Sequence, residues 1–497
     1  MYTEDRVGHR SDVRREPIRV AVIGAGMAGI LAAIKLREAG WDDIIVYEKA
    51  DRLGGTWREN TYPGLSCDVP SHFYSYSFAL NPEWSHRFSP GREILAYLEE
   101  VARREGVERL IHANREVTDC SFAGGRWRLG FSDGTSDAAD FVIAATGVLH
   151  HPAYPDIPGV ESFAGPCFHS ARWDHGVAIT GKRVGVVGTG SSAIQIVGAI
   201  VDEVAALRLF QRTPQWVAPM ENPAYSDEEK AAFRRTPAAM EAIRETVNRM
   251  LTDGFANVLS DAESPVLRGI HDMCVAHLER SVRDPVLREQ LRPSYRAACK
   301  RLIMSDRFYE AIQRSNATLV TEGIERVEPA GIRTRDGVSH PLDVLVLATG
   351  FRVDRFVRPM RVGGDRGVML DEVWATGPFA YMTIAVPEFP NFYMLNGPNG
   401  PVGNFSLIEV AELQMTYVLQ MIERVRSGAC RAMSPSHEAM ARFDAERRKA
   451  ATTTIWNTGC KSWYLDDSGL PTAWPFTFDR FRAEMSQPRF EDWVVTA

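Results

Sequence analysis

Val20-Ala21-Val22-Ile23-Gly24-Ala25-Gly26-Met27-Ala28-Gly29 carries an apolar run into a glycine-rich turn, and Ile30, Leu31, Ala33, Ile34 and Leu36 continue it at helical spacing. Strand, turn and helix together are the pattern of a dinucleotide-binding unit. Gly24 lets the backbone turn sharply, Gly26 lets a pyrophosphate approach the helix N-terminus, and Gly29 lets the helix pack on the strand. Glu48 lies 48 − 24 = 24 positions on, closing the run Ile44-Ile45-Val46-Tyr47. A carboxylate there accepts hydrogen bonds from both ribose hydroxyls, which favours an unphosphorylated ribose as in FAD or NAD.

A second unit follows Arg183-Val184-Gly185-Val186-Val187 and reads Gly188-Thr189-Gly190-Ser191-Ser192-Ala193. Its equivalent of Glu48 is Arg212 (212 − 188 = 24), after the run Leu207 to Gln211. A guanidinium pairs with a ribose 2′-phosphate, so the preference reverses. We read the first unit as an FAD site and the second as an NADPH site.

The chain has 497 residues, enough for two or three domains of roughly 150 residues each. Its net charge of −7 gives no reason to expect nucleic acid or an anionic membrane as a partner. Residues 1–17 form a charged tail without an apolar stretch, and the apolar runs elsewhere are too short to span a membrane, so a cytoplasmic protein is expected. The seven cysteines are odd in number and widely spaced, with no C-x-x-C or close pair; free thiols in a reducing compartment are the expectation. His150 and His151 have no carboxylate at ligand spacing, and no metal site is read.

The expected fold is α/β, with two Rossmann-like dinucleotide-binding domains and a helical insertion. Phe141-Val142-Ile143-Ala144-Ala145-Thr146-Gly147 has a near copy at Leu345-Val346-Leu347-Ala348-Thr349-Gly350, which suits chain crossings between the two domains. Residues 156–165 read as a linker. The expected division is a discontinuous FAD domain (18–148 and 345–497), an NADPH domain (165–215 and 299–344), and an insertion (216–298) placed over the interdomain cleft. Ala238, Met240, Ile243, Val247 and Leu251 show the helical spacing of that insertion.

Phe163, Gly165, His169, Trp173 and Asp174 fit F-x-G-x-x-x-H-x-x-x-W-D just ahead of the second glycine turn. The pattern resembles the signature of the type I Baeyer–Villiger monooxygenases, and further matches run along nearly the whole chain. Gly54-Gly55-Thr56-Trp57, Tyr62-Pro63-Gly64 and Asp68 are similar to the family's flavin-side segment, and Gln211-Arg212-Thr213-Pro214 with Trp216 to its NADP-phosphate segment. Cys299-Lys300-Arg301 resembles its catalytic arginine motif, Asn396-Gly397-Pro398-Asn399-Gly400-Pro401 its return to the flavin domain, and Ser462-Trp463-Tyr464 its mobile loop. The cofactor-binding set is therefore Gly24, Gly26, Gly29, Glu48, Gly55, Thr56, Trp57, Asp68, Tyr74 and Val117 for FAD. For NADPH it is Gly188, Gly190, Ser191, Ser192, Gln195, Arg212, Thr213, Lys300 and Trp463. The loop after Tyr464 departs from that of the cyclic-ketone enzymes, which leaves the substrate pocket open.

The resemblance implies FAD, NADPH and O2 acting on a ketone through a C4a-peroxyflavin to give an ester or lactone. Arg301 would hold the anionic peroxide and the charge gathering on the carbonyl oxygen, because a guanidinium stays protonated under all working conditions. Asp68 would hold Arg301 by a charge-assisted hydrogen bond. Lys300 would add to Arg212 at the 2′-phosphate, and His169 would couple domain movement rather than act as a general base. Three alternatives stay open at this point. They are oxygenation of sulfides or amines on the same fold, a flavin disulfide reductase, for which Cys67 lacks a neighbouring cysteine, and a flavin-binding redox sensor.

Overall fold

Two five-stranded parallel sheets form the frame of the protein in a computed structural model that describes residues 18–401, 403, 405–466 and 468–496. The charged tail 1–17 lies outside the described residues. In the first sheet the order is Phe392–Met394, Phe141–Ala144, Val20–Ile23, Ile44–Tyr47 and Ile111–His112. All four residues of Val20–Ile23 are buried, as expected of a parallel strand covered on both faces. Val22 sits opposite Val46 on one side and Ile143 on the other.

The second sheet repeats the plan with the order Ala317–Val320, Ala206–Phe210, Arg183–Val187, Val344–Leu347 and Cys167–His169. Val186 lies opposite Leu209 and Val346. Each glycine turn leaves the carboxyl end of its central strand and enters a helix, Met27–Glu38 in one unit and Ser191–Ile200 in the other. That end of an open parallel sheet is where dinucleotides are held.

One strand belongs elsewhere than its sequence suggests. Val344–Leu347 pairs within the second sheet, against Arg183–Val187 and Cys167–His169, so a division at 345 cuts through a strand of the NADPH-type unit. The crossing to the FAD-type sheet comes after residue 347. An apolar four-residue run ending in Ala-Thr-Gly is equally suited to either sheet, which is why its membership is fixed only by tertiary pairing.

The insertion contains the helices Asp227–Arg235, Pro237–Leu251, Pro265–Ser281 and Pro285–Gln290. Val247 joins the core under the first sheet, while Phe255, Leu259, Leu267, Cys274 and Leu278 join the core under the second. Burying a leucine such as Leu267 or Leu278 contributes about 1.5–3 kcal/mol each. Arg244, buried, donates to the carbonyls of Phe73 and Ser75 at 3.0 and 2.8 Å and to Glu409 at 2.7 Å. The insertion thus clamps both cores. Residues 216–298 do not line the main cavity, but Pro285, Val286, Glu289 and Gln290 border an adjoining pocket of about 700 Å³ together with Arg212 and Thr321. No helix among the described residues is long and apolar enough to cross a membrane.

Candidate active site

The carboxyl ends of the two sheets open into one cavity of about 1570 Å³. Gly24 and Gly26 line it from one side, and Gly188 and Gly190 from the other. Gly24 has φ +102°, and a Cβ there would lie 2.6 Å from the Ala145 carbonyl oxygen. Gly29 stands behind the wall. A Cβ on it would fall 1.8 Å from the Gly24 carbonyl oxygen, so only glycine lets this helix meet its turn. At Gly190 no atom lies within 4 Å of a would-be Cβ, which leaves the start of the second helix open to a ligand.

On the FAD side, Glu48 is buried and accepts from the backbone N–H groups of Ala25 and Ala50 at 2.8 and 2.9 Å. Arg58, which the sequence reading did not single out, lies 3.3 Å from the Glu48 carboxylate with its side chain almost fully buried. Gly55 takes φ +52° ahead of the short helix that places Thr56 and Trp57 on the cavity wall. The Trp57 indole N–H donates to the Tyr74 hydroxyl at 3.2 Å, and Val117 lines the same wall from the small sheet.

Tyr62, quoted only as part of a motif, ties the two halves together. Its hydroxyl donates to Gln195 Oε1 at 3.0 Å and accepts from the Ser192 hydroxyl at 3.1 Å. Burial, above all, pushes that phenol up to about 12, so it stays protonated and able to donate. Gln195 Nε2 donates to the Ser66 carbonyl at 3.1 Å, and the Thr189 hydroxyl to the Thr213 carbonyl at 2.7 Å. Ser191, Ser192, Gln195, Arg212, Thr213 and Lys300 all face the cavity. Lys300 Nζ lies 4.6 Å from the centroid of the Tyr295 ring, and its proton is held less tightly than usual through burial first and the Arg212 charge second. Two cations converge there, and a dianion would relieve their repulsion.

Arg301 reaches the same cavity beside Asp68. One guanidinium nitrogen donates to both Asp68 oxygens at 2.9 and 2.7 Å, and the other donates to the Gly403 carbonyl at 3.3 Å. Burial alone would loosen the Arg301 proton, but Asp68 together with Tyr464 and Cys67 outweighs it and the net shift is upward, so the positive charge is permanent. The Arg301 side chain is 32% exposed and Asp68 14%, which leaves the cation open toward a ligand. Trp463, 41% exposed, borders the cavity with its ring 4.1 Å from that of Tyr464. His169 lies in the second sheet and accepts from the Ala171 N–H at 3.1 Å, and burial favours its neutral form.

The cysteines depart from expectation. Cys299 and Cys460, 161 positions apart, are joined by a disulfide, while Cys67, Cys120, Cys167, Cys274 and Cys430 are free. Spacing along the chain does not show a pair made by folding two distant segments together. Neither bonded cysteine lines the cavity, and burial pushes the Cys67 thiol well up, so neither supplies the reactive sulfur pair of a disulfide reductase.

Two dinucleotide folds that face one cavity, with a carboxylate-held arginine where the folds meet, define a two-cofactor flavoprotein of the monooxygenase class. Comparison with known proteins narrows this. Residues 21–231 match a family described as pyridine nucleotide-disulphide oxidoreductase. An uncharacterized monooxygenase of Mycobacterium tuberculosis is 46% identical over 479 residues, covering 95% of each chain. A Baeyer–Villiger monooxygenase of Streptomyces coelicolor is 39% identical over 488 residues, covering 97% of this chain and 93% of that protein. The crystal structure of OTEMO in complex with FAD and NADP superposes with a TM-score of 0.87 at 28% identity, covering 97% of this chain and 100% of that one. The chain belongs to the type I Baeyer–Villiger monooxygenases, and it carries out NADPH-dependent, FAD-mediated Baeyer–Villiger oxidation.

Proposed function

We propose that the protein takes a hydrophobic ketone, O2 and NADPH with one proton to an ester or lactone, NADP⁺ and water, with Arg301 as the catalytic cation. The observation that carries this reading is the Asp68–Arg301 pair at 2.7 Å on the wall of the cavity shared by both glycine turns. Bound FAD, once reduced by NADPH, supplies the oxygen activation that inserts one atom beside the carbonyl. Gly24, Gly26, Glu48, Gly55, Thr56, Trp57, Tyr74 and Val117 would hold FAD, and the open space at Gly190 suits the second pyrophosphate. Gly188, Gly190, Ser191, Ser192, Gln195, Arg212, Thr213 and Lys300 would hold NADPH, the two converging cations taking the 2′-phosphate.

Within that frame each side chain has a task. Arg301 offers a fixed positive charge to the negative charge that gathers on the substrate's carbonyl oxygen as the new C–O bond forms, a contact stronger in the transition state than in the ground state. Asp68 keeps the guanidinium in place between reactions. Tyr62 couples the FAD-side segment to the helix after the second turn, so the two cofactors are held in one geometry. Trp463, on the cavity border, would cover the opening, and Phe405, packed against Phe73 and Phe478, gives the wall near Arg301 an apolar surface suited to a hydrophobic ketone. A cytoplasmic setting suits an enzyme supplied with NADPH.

The test is isotopic. FAD-loaded protein given NADPH, labelled O2 and a hydrophobic cyclic ketone should yield a lactone carrying one labelled oxygen. Oxidation of an added sulfide without any lactone would replace the ketone reading with soft-nucleophile oxygenation.

A further inference from the structure

The disulfide joins the two segments that border the cavity on its reactive side. Cys299 stands two positions before Arg301, and Cys460 three positions before Trp463. We propose that Cys299 and Cys460 form a reversible redox latch that fastens the Trp463 loop to the Arg301 segment. When the bond is made, the loop stays over the cavity; when it is broken, the loop is free to leave.

Three observations support the proposal. First, the bond is the covalent tie between the segments: the backbone hydrogen bonds around Trp463 are local, from Leu465 N–H to the Ser462 carbonyl and from Thr472 N–H to the Tyr464 carbonyl, and beside the bond the segments are held by the buried Tyr464 ring against Arg301. Second, each sulfur already has a polar neighbour that its thiol would use once the bond opens. Cys460 Sγ lies 3.0 Å from the Cys299 carbonyl oxygen, an acceptor for its S–H, and the Thr458 hydroxyl donates to Cys299 Sγ at 3.4 Å. A bond with a prepared reduced form can open without leaving buried polar atoms stranded. Third, the five free cysteines show that the chain is not generally disulfide-stabilised. Disulfides in compartments that keep thiols reduced are usually transient or redox-sensing.

The chemistry balances with hydrogen peroxide, the two-electron oxidant that escapes when reduced flavin meets O2 without oxygenating a substrate. Two thiols give up two protons and two electrons, the S–S bond forms, the O–O bond of peroxide breaks, and two waters leave. A dithiol reductant reverses the step, returning both protons and electrons and becoming a disulfide itself. The direction is self-correcting. Peroxide leakage closes the latch, and a closed latch shields the cavity and reduces leakage.

The experiment uses full-length, FAD-loaded protein, treated with hydrogen peroxide or with dithiothreitol, then denatured and alkylated. The expected mass change is five alkylated cysteines after peroxide and seven after reduction. Native trypsin cleavage after Lys461, beside the bond, is expected to be about tenfold slower in the oxidised form, because cleavage follows the population of the opened loop. Cys460→Ser and, separately, Cys299→Ser should cleave at the reduced rate whatever the treatment; if either variant fails to fold, the comparison of peroxide-treated with dithiothreitol-treated wild type decides the question. Seven alkylated cysteines after peroxide would overturn the proposal. So would five, with equal cleavage in both forms, which would make the bond purely structural. The latch rests on the loop placement described under the proposed function. Both readouts nevertheless require no ester formation, so failure of the latch and failure of the ketone reading are told apart.

Discussion

Replacing Arg212 with alanine removes one of the two cations that converge beside the second glycine turn, and its consequence can be estimated from the structure. A hydrogen bond between a charged donor and a phosphate contributes about 1.5–3 kcal/mol. Arg212 is exposed, so solvent screening puts the effect at the low end, about 1.5 kcal/mol, or roughly a tenfold loss of kcat/KM for NADPH. NADH lacks the 2′-phosphate and should lose less than about threefold by the same reasoning. Raising the ionic strength should shrink the difference, since an exposed charge pair is screened over about 10 Å at 0.1 M salt.

The same substitution makes a pH prediction. The Lys300 proton is loosened by burial and, secondarily, by Arg212. A lysine with a lowered pKa loses its charge earlier as pH rises, so NADPH affinity should decline on the alkaline side. Removing Arg212 removes one lowering cause, and the decline should move to higher pH. The assay is steady-state kinetics with both nucleotides across pH. An unchanged NADPH preference in Arg212→Ala, with an unmoved alkaline limb, would show that the 2′-phosphate is read elsewhere.

Other perturbations have equally definite outcomes. Gly29→Ala places a Cβ 1.8 Å from the Gly24 carbonyl oxygen, so the protein should purify without FAD or not fold, as its flavin absorbance will show. Arg244→Ala strands the buried side of Glu409 and two backbone carbonyls; the cost expected for breaking a buried pair is about 3 kcal/mol, seen as earlier urea unfolding, with the insertion helices losing protection from proteolysis first. Tyr62→Phe removes the hydroxyl shared by Gln195 and Ser192, and should slow hydride transfer to flavin by a measurable factor in anaerobic stopped-flow while FAD content stays normal.

What the sequence could show divides along a physical line. Each glycine turn is a local device, written within ten residues, and the ribose-reading position follows it at a fixed spacing of 24 positions. The Arg301 assignment is different in kind. On residue type alone it is one arginine among many, and it stands out only through the resemblance, which also implies its partner; the structure brings that partner, Asp68, against it across 233 positions of chain. Long-range pairing explains the remaining gaps. Tyr62 against Gln195 and Ser192, and Cys299 against Cys460, are made by chain crossings that no periodicity records, while Arg58 meets Glu48 across only ten positions through a turn whose path the residue types do not specify. Val344–Leu347 shows the same limit at the level of a strand, since its apolar pattern would satisfy either sheet. The insertion's helices were legible from their spacing, but their role in clamping two cores, and not lining the cavity, depends on which faces meet.

The most direct test of the account is the Arg301→Ala enzyme, FAD-loaded and supplied with NADPH, O2 and a ketone that the wild type converts, with NADPH consumption and ester formation measured in the same vessel. The account predicts that NADPH is still consumed, with its electrons recovered as hydrogen peroxide, while ester formation falls by about 10²–10³ or more, the loss typical when a group stabilising developing oxyanion charge is removed. Ester formation at the wild-type rate would contradict it, and would take Arg301 and its Asp68 partner out of the chemistry.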